Sequence, residues 1–306
     1  MLRRSLAAIA VFLTAESAAA QQQLGTKVMG GLGIDAGAQN PPGLYIVERF
    51  FQFRATTLRD RNGNVVPIQG FDLLARANGL GFVFTLPVEK GPLLTFGMSI
   101  PWARISVNSE DPLASVDQFG LGDLFIQPIK TGWRYPRYDF VMAYGFFAPT
   151  GSFEQKTGVG AGKGHWTNQV SVGGALYSDS ARTWRGSALL SYDMNGRKRG
   201  IDITRGNFLA LQAGAGASIR RIFTVGVAGY GLWQVSNDRG SQLPARLTGS
   251  HTFGYGLGPE VDVTIPALRL KGEIRYEWDF AVRARPDGRV LAVGFSYGAW
   301  LPPRPH

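Results

Sequence analysis

Few residues of this 306-residue chain have the spacing that catalysis or cofactor binding requires. Gly31, Gly33 and Ala36 match the dinucleotide-binding pattern G-x-G-x-x-A, but no strand-like segment precedes them, as that motif demands. The three histidines are far apart in the sequence, and the chain has no cysteine. We therefore expect no catalytic residues, no metal site and no cofactor.

The most regular set of ionisable residues lies near the C-terminus. From Leu268 to Val282 every second residue is apolar, aromatic or glycine, and the positions between them carry six charges. These six are Arg269, Lys271, Glu273, Arg275, Glu277 and Asp279. The segment 251–265 repeats the alternation, with Glu260 and Asp262 on its polar side. Because successive side chains of a strand point to opposite faces, the pattern predicts strands with one apolar face.

We expect the polar faces of these strands to line the lumen of a membrane barrel. A β-sandwich buries its apolar faces, whereas a membrane barrel exposes them to lipid and turns its polar residues inwards. The alternating charges then either contact a passing solute or form a self-neutralising ladder that stiffens the wall, and the two roles are compatible.

The same alternation recurs along the chain and predicts about twelve strands. They cover roughly residues 43–58, 71–86, 93–102, 119–133, 138–148, 165–178, 184–193, 207–219, 223–235, 251–265, 268–282 and 289–297. The links between them alternate between long and short, as do the outer loops and periplasmic turns of outer-membrane barrels. The predicted fold is therefore all-β, a transmembrane antiparallel barrel over residues 43–300.

The first 20 residues have the features of a cleavable signal peptide. Arg3 and Arg4 precede a short apolar run, and three alanines at 18–20 form a small-residue cleavage site. Export argues against nucleic acid as a partner, although the net charge is +10. Tryptophans near both ends of the predicted strands fit the aromatic girdles of outer-membrane barrels. The bacterial outer membrane is therefore the predicted location.

Two segments flank the predicted barrel. Residues 21–42 are rich in glycine and lack alternation, so they form either a disordered periplasmic tail or a plug in the lumen. Residues 301–306 form a proline-rich tail beyond Trp300. Barrels usually end on an aromatic residue that guides their insertion by the barrel assembly machinery, and this chain departs from that ending.

One predicted outer loop carries an excess of positive charge. Its cations are Arg197, Lys198, Arg199 and Arg205, against the single acidic residue Asp202. These cations either bind phosphates of lipopolysaccharide in the outer-membrane lipid or belong to a solvated loop without a lipid role. Guanidinium suits phosphate because it can donate two parallel hydrogen bonds.

Several short motifs resemble those of bacterial outer-membrane proteins associated with the meta-cleavage pathway of phenol degradation. The segment Phe119–Pro128 (FGLGDLFIQP) resembles the G-x-G-D-x-x-x-x-P signature of that family. Phe147–Gly151 resembles its A-P-T-G turn, and Gly164–Asn168 resembles its G-x-W-T segment. The order and spacing of these motifs extend the resemblance over about residues 43–298.

The resemblance implies a passive outer-membrane transporter for small hydrophobic or aromatic solutes, because the family is similar in outline to hydrocarbon-uptake barrels. The alternatives are a narrow non-specific pore and a structural or adhesion barrel that acts through its long loops. Twelve strands lie between small barrels filled by side chains and open sixteen-stranded porins, so we expect a narrow, partly blocked lumen. No enzyme activity is expected.

Overall fold

The computed structural model describes residues 29–88, 91–110, 115–153 and 160–303. The predicted signal peptide lies outside the described residues. Strands dominate, and the two 3-10 helices named among these residues, Ala245–Leu247 and Pro266–Leu268, have three residues each. Within the described ranges, no helix has the length and apolar character needed to cross a bilayer.

Thirteen strands form one antiparallel sheet that closes on itself. They are β1 (Gly43–Arg59), β2 (Asp72–Thr85), β3 (Leu93–Asn108), β4 (Val116–Leu121), β5 (Leu124–Arg134), β6 (Tyr138–Ala148), β7 (Thr167–Tyr177), β8 (Trp184–Asn195), β9 (Phe208–Ile219), β10 (Phe223–Gln234), β11 (Phe253–Ile265), β12 (Leu270–Arg283) and β13 (Arg285–Trp300). The first strand pairs with both β2 and β13, and this contact closes the barrel.

Two of these strands, β4 and β5, share one place in the wall. Both pair with β3, β4 along its C-terminal part and β5 along its N-terminal part. The carboxylate of Asp123 lies at the break and accepts hydrogen bonds from the backbone N–H groups of Gly151 and Lys163. The barrel therefore has the twelve predicted strand positions. The single strand expected over 119–133 is divided into two, because the side chain of Asp123 is buried and hydrogen-bonded to the loop instead of continuing the strand pattern.

The connections alternate in length, as the sequence predicted. Four long connections of 12 to 18 residues span 60–71, 149–166, 196–207 and 235–252, and short ones of three to seven residues span 86–92, 135–137, 178–183, 220–222 and 266–269. Two connections at the end with the long loops are exceptions: 109–115 has seven residues, and Ala284, with a positive φ of 49°, is the single residue between β12 and β13. We call the end with the long loops the outer end. Gly43 and Trp300 lie at the other end, the inner end.

The outer surface of the barrel is apolar over a broad band. Its exposed residues include Phe96, Met98, Ile100, Phe140, Met142, Val170, Val172, Val225, Val227, Leu257, Ile274 and Phe295. Trp184 and Trp300 are exposed near the inner ends of their strands, and Trp166 and Trp278 towards the outer ends. Soluble monomers rarely expose so large an apolar surface, whereas a membrane barrel presents it to lipid between two aromatic girdles.

The apolar band predicts that the cost of placing a charged side chain on the outer surface depends on its depth in the membrane. Ile274 is 51% exposed in the middle of the band, and Ile219 is 52% exposed at the inner end of β9. We expect Ile274→Arg to lower the free energy of unfolding by about 2–4 kcal/mol and Ile219→Arg by at most about 1 kcal/mol. Urea unfolding in lipid vesicles measures both values. Equal losses at the two positions would contradict the assigned depth.

Candidate functional site in the barrel lumen

The charged residues of β11 and β12 point into the lumen. Arg275 and Glu277 are at most 1% exposed, whereas Ile274, which precedes Arg275, is half exposed on the outer surface. On β13, the residue paired with Arg275 is Ala292, and the residue paired with Glu273 is Gly294. These small inward residues leave the space that the long charged side chains occupy.

Ion pairs neutralise most of this buried charge. Arg275 Nη1 lies 3.0 Å from Glu260 Oε2, and Arg275 Nε lies 3.7 Å from Glu277 Oε1. Lys271 Nζ lies 2.9 Å from Asp262 Oδ2. A buried ion is costly unless it is paired and hydrogen-bonded, so each of these side chains depends on its partner.

The other two predicted acidic residues pair with neighbouring strands. Glu273 Oε1 lies 3.7 Å from Arg49 Nε of β1. Asp279 accepts a hydrogen bond from the Tyr230 hydroxyl, and its Oδ2 lies 3.3 Å from Arg285 Nη2. The ladder of charges thus connects β10, β11, β12, β13 and β1 around one side of the lumen.

Three of the carboxylates come close together. Oxygens of Glu260, Asp262 and Glu273 lie within 4.8 Å of one another. Lys271 and Arg275 contact two of these groups directly. The chain itself therefore supplies the cations that neutralise the cluster.

The prediction that Arg269 lines the lumen is wrong. The short 3-10 helix Pro266–Leu268 forms the turn between β11 and β12, and Arg269 ends it with a left-handed φ of 54°. The side chain is exposed at the inner end of the barrel. The alternation in the sequence continues through Arg269, but β12 begins at Leu270, so the residue is not held to the strand's geometry.

Residues 29–42, which we call the lumen segment, lie inside the barrel. Ile34 is completely buried, and its backbone N–H donates to Glu260 Oε2 at 3.0 Å. The carbonyl oxygen of Gly30 accepts a hydrogen bond from Arg275 Nη2 at 2.5 Å. One buried ion pair of the wall therefore satisfies two backbone groups of the segment.

Side chains of the lumen segment also reach other parts of the wall. The carboxylate of Asp35 lies 3.1 Å from Arg185 Nη1 of β8 and 2.8 Å from Lys271 Nζ of β12, strands that are four places apart in the sheet. Nearer the inner end, the backbone N–H of Gln39 donates to Asp139 Oδ2 at 3.1 Å. The segment is thus anchored on several sides of the lumen.

Glycines allow the segment to approach the wall closely. A Cβ atom at Gly214 would lie 2.7 Å from Cα of Ile34, and a Cβ atom at Gly37 would collide with the carbonyl oxygen of Gly174. A Cβ atom at Gly33 would overlap the Glu260 carboxylate. Within the spacing that resembles a nucleotide-binding loop, Gly33 is therefore explained by close packing against the wall of the lumen.

An apolar cluster lies beside the start of the lumen segment. It consists of Met29, Phe208, Ala210, Tyr230 and Leu232, and we call it the apolar lumen cluster. Sequence reasoning missed it because the outward residues of β9 and β10 are also apolar or small, so alternation shows no contrast between the faces. The charged ladder and this cluster together give the lumen a polar side and an apolar side.

The predicted lipid-binding cations of the outer loops divide into two groups. Arg197 and Arg199 are exposed, whereas Lys198 and Arg205 are 3% exposed. Arg205 Nη1 lies 2.7 Å from Asp238 Oδ2, and burial together with nearby Arg205 lowers the pKa of Lys198 to about 8. The expectation of a surface lipid contact is therefore wrong for Lys198 and Arg205. The loops 196–207 and 235–252 pack together, and both side chains are buried.

The histidines in the outer loops show no catalytic arrangement. His165 is 1% exposed and contacts the Trp166 carbonyl oxygen and the Thr167 hydroxyl, and burial lowers its pKa to about 4. His251 Nε2 lies 2.6 Å from Asn237 Oδ1. Both rings therefore contact groups at the outer end of the barrel, and His165 Nε2 is buried without a hydrogen-bond partner among the described residues.

A closed twelve-position sheet, an apolar outer band and a charged lumen define an integral β-barrel of the bacterial outer membrane. The chain belongs to the family described as "Putative MetA-pathway of phenol degradation", which matches residues 55–295. The resemblance read from the sequence motifs is therefore confirmed. A search of curated proteins finds no match.

Several solved structures align with the chain. The COG4313 outer membrane channel from Pseudomonas putida F1 aligns with a TM-score of 0.76 and 14% identity, over 89% of this chain and 99% of that one. The translocator domain of the autotransporter NalP from Neisseria meningitidis aligns with a TM-score of 0.48 and 14% identity, over 86% of this chain and 91% of that one. A Pseudomonas aeruginosa FadL homologue aligns with a TM-score of 0.40 and 12% identity, over 84% of this chain and 89% of that one. Only the first similarity is close enough to support the shared fold.

The hydrogen bonds of the lumen segment predict how it is released. The chain has no native cysteine, so Ile34→Cys introduces a single reporter thiol at a fully buried position. Replacing Arg275 with methionine leaves Glu260 buried without its cation, which typically costs about 3–5 kcal/mol. We expect Arg275→Met to accelerate labelling of the thiol at position 34 by a water-soluble maleimide at least tenfold.

The control places the reporter thiol at Asn64 in the exposed loop after β1. Labelling there should proceed at the same rate with and without the Arg275→Met change, because Asn64 is already exposed in a loop at the outer end. If position 34 labels at one rate in both backgrounds, the Arg275–Glu260 pair does not hold the segment.

Proposed function

We propose that this barrel is a passive channel for small hydrophobic or aromatic solutes, with the lumen segment as its internal plug. The observation that carries the proposal is the packing of Met29, at the start of the segment, against the wall residues of the apolar lumen cluster, which belong to β9 and β10. An apolar solute that enters from the outer end can bury its surface against Phe208, Tyr230 and Leu232. Burying apolar surface is favourable by about 25 cal/mol per Å².

The ladder of charges fits a structural role in this proposal. Arg275, Glu260, Lys271 and Asp262 direct their hydrogen bonds and ion pairs to one another and to the lumen segment. A solute would meet these groups only where the segment has moved. Their main contribution is therefore to hold the plug, and an uncharged solute passes along the apolar side.

A narrow non-specific pore is the second candidate. The ion pairs along β12 favour it, because a lumen vacated by the segment would offer water and ions a charged wall. The two candidates differ in selectivity. A channel for aromatic solutes distinguishes phenol from a sugar of similar size, whereas a non-specific pore selects by size alone.

Removing the lumen segment tests whether it plugs the channel. We expect deletion of residues 29–40 to raise single-channel conductance in planar bilayers at least threefold, because the segment occupies the lumen between β8 and β12. The shift in electrophoretic mobility on heating checks that the deleted chain still folds as a barrel. A folded deletion variant with wild-type conductance would show that the segment is not a plug.

Changing the apolar lumen cluster tests the solute class. We expect Phe208→Ser to reduce the flux of phenol into liposomes several-fold and to leave the flux of arabinose unchanged. Phe223→Ser is the matched control, because Phe223 is 45% exposed on the outer surface of β10. Parallel changes in phenol and arabinose flux would favour the non-specific pore.

A further inference from the structure

Four arginines cross the outer surface of four neighbouring strands. They are Arg289 of β13, Arg54 of β1, Arg76 of β2 and Arg104 of β3, and all four are exposed. Arg54 pairs directly with Arg289, and Arg76 pairs directly with Arg104. Paired residues of an antiparallel sheet share a face, so the four side chains form one row, which we call the arginine row.

The arginine row lies at the outer edge of the apolar band. Arg54, Arg104 and Arg289 are each about eleven residues from the inner ends of their strands, which corresponds to roughly 28 Å at a strand tilt of about 40°. The apolar band of an outer-membrane barrel is about 25 Å tall. The row is therefore at the depth of the headgroups of the outer leaflet.

The row keeps an excess of positive charge. Arg54 donates to Asp72 at 3.1 and 3.0 Å, and Arg104 donates to Asp117 at 2.9 and 2.6 Å. Two acidic residues therefore face four arginines. No hydrogen bond or ion pair joins the Arg289 side chain to any of the described residues. Arg54 and Arg104 remain 61% and 63% exposed, so the paired guanidinium groups still present donors to the outside.

A groove adjoins one end of the row. Pairing between β12 and β13 ends at Trp278 and Arg289, and a cavity of about 590 Å³ lies where the two strands part. Arg54, Arg289, Tyr276 and Trp278 line this cavity. Asp279 and Asp287 line it as well, and their carboxylates are paired with Arg285 and Arg59. The groove thus combines guanidinium groups with flat aromatic surfaces at the membrane interface.

We propose that the groove and the arginine row bind the phosphorylated headgroup of the outer-leaflet glycolipid, lipopolysaccharide. Guanidinium groups of Arg54 and Arg289 bind a phosphate through paired hydrogen bonds, and the sugar ring packs against Trp278. The acyl chains then extend along the apolar surface below Leu291. This site lies on the wall of the barrel, away from the exposed loop cations, and it does not depend on what the channel transports.

Binding of diphosphorylated lipid A to the folded barrel in zwitterionic detergent tests the proposal. We expect the double variant Arg54→Gln, Arg289→Gln to weaken the Kd at least tenfold. The matched control is Arg220→Gln, Arg221→Gln, which removes the same charge from an exposed turn at the inner end and should change the Kd less than twofold. The variant Arg54→Lys, Arg289→Lys should show intermediate affinity, because lysine keeps the charge but lacks the paired donors.

Three results would overturn the proposal. The first is that the two glutamine variants weaken the Kd equally, and the second is that lipid A without phosphates binds as tightly as diphosphorylated lipid A. The third is that phosphatidylglycerol vesicles compete as well as unlabelled lipid A does. Heat-modified electrophoretic mobility confirms that each variant is folded. If the double variant does not fold, Arg289→Gln alone replaces it, since this change breaks no ion pair among the described residues. The single change should then weaken the Kd at least threefold, and an unchanged Kd would refute the site.

Discussion

The hydrocarbon core of a bilayer offers no water to the backbone, so each N–H and C=O group that crosses it needs a partner within the protein. A sheet meets this requirement only when its first strand pairs with its last, as β1 does with β13. Closure then divides the side chains into those that face lipid and those that face the lumen. The apolar band and the charged ladder both follow from that division.

The lumen segment is possible because closure creates an enclosed polar space. Inside it, Glu260 and Arg275 are too deeply buried to be hydrated, so their remaining hydrogen-bonding capacity is directed to the backbone at Gly30 and Ile34. The segment in turn supplies Asp35 to Arg185 and Lys271. Wall and segment therefore supply polar partners to each other.

The sequence revealed the barrel because alternation is a local property. The strand β12 carries charged and apolar residues in strict turn, and its two faces could be assigned without any knowledge of its neighbours. The division at Asp123 was hidden, because it depends on backbone donors from the loop near Gly151. Likewise, the burial of Arg205 depends on Asp238 in a different loop. Contacts between distant segments leave no periodic signal.

The lumen itself was only partly predictable. Its charged side followed from alternation, whereas the apolar lumen cluster did not, because β9 and β10 are apolar or small on both faces. The glycines at 31 and 33 were visible in the sequence, but the Glu260 carboxylate that leaves no room for a side chain at Gly33 lies more than two hundred residues away. Close approach of backbone to wall is thus recognisable only in three dimensions.

The position of the lumen segment also sets an order for assembly. Gly30 bonds to Arg275, which is 245 residues further along the chain, and Ile34 bonds to Glu260, 226 residues further along. A ribosome makes the segment long before it makes either partner. The contacts of the segment with β11 and β12 therefore form only when the last strands are present, and contacts between such distant residues are characteristic of slow folding. The barrel completes the packing of its contents at the end of assembly, although the chain supplies them near its beginning.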